Sequence, residues 1–125
     1  MDTRKKLYEM EEEQLYERLV KPSAEDRKKM PVYNGVLKYF PDAIREVAKC
    51  SQAGNNQHHS DKPLHWDRSK SGDELDALTR HLLEVGTTDT DGVKHSAKVA
   101  WRALANLQKE LEREGKAPLS KYNQL

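Results

Sequence analysis

Carboxylate, imidazole and cationic side chains crowd into one segment of this 125-residue chain, between Leu64 and His95. Carboxylates can bind a divalent cation, and lysine, arginine and histidine can bind an anion. A nucleotide site needs both kinds of group, so function is expected in this segment. Its candidate residues are Trp66, Lys70, Asp73, Glu74, Asp76, Arg80, His81, Asp89, Asp91 and His95.

Two predicted helices could present carboxylates to a shared Mg²⁺ ion. Asp42 and Glu46 lie one turn apart on the first helix, and Asp76 follows Asp73 by three residues on the second. Oxygen ligands suit Mg²⁺, which could neutralise a polyphosphate and activate water. Capping and the helix dipole explain Asp42 and Glu74 equally well. Glu46 and Asp76 lie deeper in their helices and are the candidate catalytic residues, and with Asp73 they are the candidate metal ligands.

The candidate substrate-binding groups are cationic, imidazole, amide, carboxylate and aromatic. Trp66 has basic neighbours, so it could stack a base while cations meet phosphate, or it could simply anchor its loop. A helical histidine such as His81 is more often a packed or surface residue than a catalyst. A His/Asp transition-metal site is also possible in principle, although the spacing matches no zinc motif. The substrate-binding set is Asn55, His58, Trp66, Lys70, Arg80, His81, Asp91 and His95.

The elements that must position these residues are predicted to be helices. A peripheral helix or arm covers Asp2–Val20, and Ser23 starts a short helical turn. Residues 30–39 are predicted to be a connecting loop with an Asn-Gly turn. A core helix then runs from about Pro41 to Ala53 and ends at Gly54, followed by a long loop whose composition favours function.

Two further core helices follow this loop. One runs from about Gly72 to Val85, with Ser71 and Glu74 as a capping box. The other, from about Gly92 to Glu114, has the clearest apolar stripe, which includes Trp101 as a core residue. Asp89 or Asp91 is predicted to cap it, and glycines end both helices.

The bulk composition limits the class of protein. The formal net charge is +1 although 34% of residues are charged, which argues against binding nucleic acid through bulk electrostatics. The mean hydropathy is −1.01, so a chain of this size would bury little apolar area alone, and a homodimer or larger oligomer is expected. No apolar run approaches membrane-spanning length and no signal peptide is visible, which predicts a cytoplasmic protein. Cys50 is predicted to be a small buried helix residue.

Two stretches resemble the phage dATP/dGTP diphosphohydrolase N-terminal domain family. They are YFPDAIREVAKCSQAGNNQH and the run from KPLHWDRSK to LQKELE, and together they cover about Val36–Glu114. Their most specific parts are DALTRH and HSAKVAWRAL. The resemblance implies hydrolysis of a purine deoxynucleoside triphosphate to the monophosphate and pyrophosphate, in a bacteriophage setting and therefore in the cytosol of a bacterial host.

The family also invites comparison with the MazG-type all-α pyrophosphohydrolases, whose EExxE and ExxD helices bind Mg²⁺. This chain departs from that pattern, and only Glu46, Asp73 and Asp76 match plausible ligand positions. The prediction is an all-α bundle of three to four core helices, with an arm (1–30), a nucleotide-site domain (31–115) and a tail (116–125). Its function is either Mg²⁺-dependent nucleotide hydrolysis or, alternatively, non-catalytic sequestration of a nucleotide immune signal of the host.

Overall fold

A computed structural model describes residues 22–58, 60–67 and 72–115, and these residues form an all-α fold, as predicted. Within the described part of the chain, the β-structure is a single bridge between Thr88 and Lys94. The helical elements are α1 (Ala24–Lys28), the π-helical turn α2 (Tyr33–Leu37), α3 (Pro41–His58), α4 (Glu74–Leu82) and α5 (His95–Arg113).

The predicted start of α1 is confirmed, whereas the predicted loop after it is wrong. The Ser23 hydroxyl accepts a hydrogen bond from the backbone N–H of Asp26 at 3.0 Å, so Ser23 caps α1. Residues 33–37 form a π-helical turn instead of an Asn-Gly loop. The backbone N–H of Gly35 donates to the carbonyl of Pro31 at 2.7 Å, so the glycine continues a helical path.

Helix α3 passes through Gly54 and ends at His58, four residues beyond the predicted end. A terminating glycine adopts a positive φ, and Gly54 does not. The side chain of Gln52 also donates to Asn56 at 2.8 Å, one turn on, which supports the helix across the glycine. The polar residues assigned to a loop therefore begin on a helix.

Helices α4 and α5 both start later than predicted. Asp73 occupies the N-cap of α4 without a side-chain capping bond, and Ser71 lies outside the described residues. Lys94 occupies the N-cap of α5, also without one, so the prediction that Asp89 or Asp91 caps α5 is wrong. Both aspartates instead bind Lys98, inside the helix.

Helix α5 is the common partner against which both α3 and α4 pack. The buried apolar residues are small: Val93 is fully buried, and Ala77, Ala97 and Ala105 are at most 5% exposed. Several leucines of the predicted core stripes remain open, including Leu104 and Leu107 on α5, each about half exposed. The core thus occupies only a narrow strip along α5.

The predicted N-terminal helix and C-terminal tail lie almost entirely outside the described residues, and the division into arm, domain and tail stays a prediction. No described helix combines the length and apolar character that crossing a bilayer requires.

Candidate functional site

A cavity of about 410 Å³ opens between one face of α3, the start of the following link, and the first half of α5. This volume lies within the range of small-molecule sites. The α3 residues on its wall recur at helical spacing, and α5 contributes Lys98, Trp101 and Arg102. The remaining lining residues are Cys50, Ser51, Gly54, Asn55, Gln57, His58, His65, Trp66, Asp67, His81 and Asp91.

One wall of the cavity is aromatic. Trp66 and Trp101 pack edge to face, with ring centroids 5.6 Å apart and an interplanar angle of 86°. The Lys109 ammonium lies 5.6 Å from the Trp66 ring, and the Arg102 guanidinium lies 5.6 Å from the Trp101 ring. Trp101, predicted to be a core residue, is only half-buried. The two perpendicular indoles therefore form an apolar corner beside cations, and a ring face in such a corner suits a nucleobase.

A buried carboxylate controls the position of both cations. Glu74, at the first turn of α4, is 6% exposed and accepts from Arg102 at 3.3 Å and from Lys109 at 3.0 Å. Capping and the helix dipole would have left this side chain at the helix end in solvent. Instead it joins α4 to α5 through two ion pairs and sets the cations behind Trp66 and Trp101.

Lys98, on the same face of α5 as Trp101, joins two loop carboxylates. Its ammonium donates to Asp89 Oδ2 at 2.6 Å and to Asp91 Oδ2 at 2.8 Å. The Lys98 hydrogen bond, with a second from the Thr90 backbone, lowers the pKa of Asp89 to about 2. Burial works to raise the pKa of Asp91, but the Lys98 and Val93 hydrogen bonds outweigh it and lower that pKa. Both carboxylates are therefore ionised at neutral pH.

Two imidazoles meet beside this group. His81 Nδ1 and His95 Nδ1 are 2.9 Å apart, and His95 is buried. His95 Nε2 faces the Glu84 carboxylate at 3.7 Å. Burial, with the positive charge of Lys98, lowers the pKa of His81, so its ring is neutral at pH 7. Among the described residues, His81, Asp89 and His95 have ligand atoms within 4.8 Å of one another, as a metal site requires.

Five of the predicted substrate-binding residues line this cavity: Asn55, His58, Trp66, His81 and Asp91. Asn55 is buried, and its amide donates to the Lys62 carbonyl at 3.2 Å, which ties the link to α3. His95 lies directly behind His81. Arg80 is exposed and pairs with Asp73 at 3.1 Å, away from the cavity, and Lys70 lies outside the described residues.

The predicted Mg²⁺ ligands do not form a cluster. Glu46 is half-buried on α3, where Lys49 lies 3.9 Å away. Asp73 and Asp76 are exposed and line a second cavity at the start of α4. The prediction placed these carboxylates on two facing helices, but α3 and α4 each pack mainly against α5. Within the described chain, the three acids do not meet the 4.8 Å criterion that the histidine cluster meets.

Several pocket residues were missed, and α5 contained the signal for them. Lys98, Trp101 and Arg102 have the i, i+3, i+4 spacing that places side chains on one helix face. An aromatic ring between two cations on one face indicates an anion or base site. Assigning Trp101 to the core concealed that pattern.

Comparison with known proteins adds one match. No curated protein and no solved structure matched this chain. A family model described as dATP/dGTP diphosphohydrolase, N-terminal, matches residues 20–118, which span the whole described fold and its cavity. The chain therefore belongs to the dATP/dGTP diphosphohydrolase N-terminal domain family.

Proposed function

We propose that this protein is a nucleotide hydrolase that converts a purine deoxynucleoside triphosphate to the monophosphate and pyrophosphate, with the α3–α5 cavity as its nucleotide site. The observation that carries the proposal is the composition of that cavity, in which two tryptophans face a cluster of cations and imidazoles. The family description, which names a dATP/dGTP diphosphohydrolase, supports the same ligand class.

In this proposal, different groups of the cavity bind the base and the phosphates of the nucleotide. Trp66 and Trp101 receive the base, because stacking on an aromatic ring stabilises any base by about 1–3 kcal/mol. Lys98 meets the phosphates, together with the Mg²⁺ that accompanies the nucleotide and offsets the charge of Asp89 and Asp91. An ammonium has three N–H donors, of which Asp89 and Asp91 accept two, so the third can serve a phosphate oxygen. His58, at the end of α3, supplies a further donor near the cavity mouth.

Magnesium enters this proposal with the nucleotide. Mg²⁺ is commonly bound through one or two carboxylates together with substrate phosphates, so it does not need an all-protein site. The separation of Glu46 from Asp73 and Asp76 does not fit a site formed by those three acids. Glu46 and Asp76 stay predicted catalytic residues, and Asp76→Asn tests the prediction directly: unchanged turnover would remove Asp76 from the reaction.

The activity test measures pyrophosphate released from dATP and dGTP by the purified chain with Mg²⁺. Lys98→Met should weaken nucleotide binding about 10- to 100-fold, because it removes one charge-assisted hydrogen bond. Lys38→Met is the matched control, since Lys38 is exposed above the Tyr33 ring and remote from the cavity lining. Clean protein that binds nucleotide but releases no pyrophosphate refutes the hydrolase proposal.

The second candidate is a binding protein that sequesters a nucleotide-derived immune signal without cleaving it. The observation that favours this candidate is the position of Glu46 and Asp76, which do not line the cavity. The cavity still contains groups that could bind a base and phosphates. EDTA separates the two candidates. It should abolish turnover by a hydrolase and leave binding by a sequestering protein largely intact, as measured by calorimetry.

Self-association and a phage setting belong to this proposal as well. Exposed leucines on α4 and α5, among them Leu75, Leu82 and Leu104, support a second copy as the partner that covers them. Light scattering coupled to gel filtration tests this, and a monomer at micromolar concentration contradicts it. The host cytosol as the site of action stays a prediction from the family resemblance.

A further inference from the structure

Three side chains with nitrogen or oxygen ligand atoms converge from three different elements, and one of them, His81, lines the cavity. His81 comes from the last turn of α4, Asp89 from the connecting loop, and His95 from the first residue of α5. Their ligand atoms lie within 4.8 Å of one another. We infer that His81, Asp89 and His95 form a binding site for a divalent first-row transition ion such as Mn²⁺, Co²⁺ or Zn²⁺.

The distance between the imidazoles fits coordination. Metal–nitrogen bonds of about 2.0–2.1 Å to two nitrogens that lie 2.9 Å apart enclose an angle of about 90° at the ion. This is the angle between neighbouring ligands in octahedral geometry. Two histidines and one carboxylate on one side of an ion form the facial arrangement that leaves open positions for other ligands. The burial of His95 fixes one of the two rings in place.

Outer groups orient the proposed ligands. If His95 binds through Nδ1, its Nε2–H points toward the Glu84 carboxylate at 3.7 Å, which is the usual partner of a metal-bound histidine. Asp89 accepts from the Thr90 backbone at 2.7 Å and from Lys98, so its rotamer is fixed. The loop itself is closed by backbone bonds from Asp89 to Val93 and from His95 to Thr87. These contacts place Asp89 next to His95 before any ion binds.

The positive charge of Lys98 is the strongest argument against a cation at this site, but two neighbouring carboxylates balance that charge. Asp89 and Asp91 both accept from its ammonium, and two carboxylates with one ammonium sum to a single negative charge. The cluster can therefore accept a divalent ion.

The ligand set determines the class of ion. Imidazole suits Mn²⁺, Co²⁺ and Zn²⁺, whereas Mg²⁺ prefers oxygen ligands throughout. His81 also lines the nucleotide cavity, so an ion bound here would adjoin that space. The site itself does not depend on the proposed hydrolase activity, and its test needs no nucleotide.

The experiment titrates the full-length, metal-stripped protein with Co²⁺ and follows visible absorption and calorimetry, with Mg²⁺ in a parallel titration. We expect one Co²⁺ per chain, displaced by Zn²⁺, and no comparable Mg²⁺ binding. Glu84→Gln should weaken Co²⁺ binding about 10-fold, because groups that orient a metal ligand typically contribute about 10- to 100-fold. His81→Gln and Asp89→Asn each remove a ligand and should weaken Co²⁺ binding by at least that much. Asp26→Asn, which changes an exposed acid on α1 that belongs to neither proposed site, is the matched control and should bind normally.

Two outcomes overturn the inference. The first is absence of Co²⁺ and Zn²⁺ binding by folded protein, which would mean that the imidazoles share a hydrogen bond instead. The second is unchanged affinity in a folded His81→Gln or Asp89→Asn variant, with melting curves run on each. If His81→Gln does not fold, Asp89→Asn decides. Metal binding without pyrophosphate release would refute the hydrolase proposal and support the metal site. Pyrophosphate release without Co²⁺ binding would refute the metal site and support the hydrolase proposal.

Discussion

Replacing Glu74 by glutamine should destabilise the fold by about 1.5–3 kcal/mol. The side chain is 6% exposed and accepts from Arg102 at 3.3 Å and from Lys109 at 3.0 Å. Each hydrogen bond to a charged group contributes about 1.5–3 kcal/mol net. Arg102 and Lys109 stay 28% and 19% exposed, so solvent screens part of this, and the glutamine oxygen can still accept from one of them. About half of the full sum is therefore expected.

The assay is thermal unfolding followed by circular dichroism. For a domain of this size, about 4–8 °C per kcal/mol predicts a melting temperature lower by about 6–24 °C. Asp73→Asn is the matched control, since it makes the same change one residue earlier, where the side chain is half exposed and pairs with Arg80 at the surface. It should lower the melting temperature far less than Glu74→Gln does, because solvent screens an exposed ion pair. Equal losses in the two variants would refute the bridging role and leave Glu74 as an ordinary helix N-terminal acid.

Three further predictions concern the cavity. Burial raises the pKa of the Cys50 thiol, so iodoacetamide should modify it more slowly than a small free thiol at pH 8. The reaction should become faster as the pH rises and slower when nucleotide fills the cavity, as mass spectrometry of the single cysteine would show. Gly54→Ala should stabilise α3 by about 0.5–1 kcal/mol, because the position is helical and a Cβ there meets nothing within 4 Å. Gly86→Ala should destabilise the protein, because Gly86 has a φ of +93° that alanine rarely adopts. Urea unfolding that finds Gly54→Ala no more stable than Gly86→Ala contradicts this account. Trp101→Leu should weaken nucleotide binding about 10-fold or more by calorimetry with little loss of helix content, and unchanged affinity would exclude stacking on that ring.

Helical periodicity predicted the existence of the three long helices and the all-α class, because apolar spacing reflects which face is buried. It failed where tertiary contacts determine the local structure. Glycine often ends a helix, and α3 was therefore predicted to end at Gly54. It continues because the Asn55 amide in the next turn donates a hydrogen bond to the Lys62 carbonyl. Glu74 has the position of a capping residue, yet its partners lie 28 and 35 residues away on α5. No local pattern contains that information.

The same limit applies to the site. His58, Trp66 and His81 were found because their residue types are unusual for their positions, and all three line the cavity. The carboxylate set assumed that α3 and α4 face each other, which a sequence cannot determine. Asp89 was named in the polar segment and as a possible cap, but it was not assigned to the site, although its partners are Lys98 and a histidine cluster formed across a closed loop.

The cavity groups of α5 share one helix face, and this has a consequence for how the sequence can change over time. Each residue advances an α-helix by about 100°, so inserting or deleting one residue between His95 and Lys98 would turn Lys98, Trp101 and Arg102 off the cavity together while leaving each of them present. Substitutions at these positions can be tested by natural selection one at a time, but a change of length in α5 would remove the whole set at once. Length variation among natural relatives is therefore expected in the links between helices, and α5 should keep its length from His95 to Lys109.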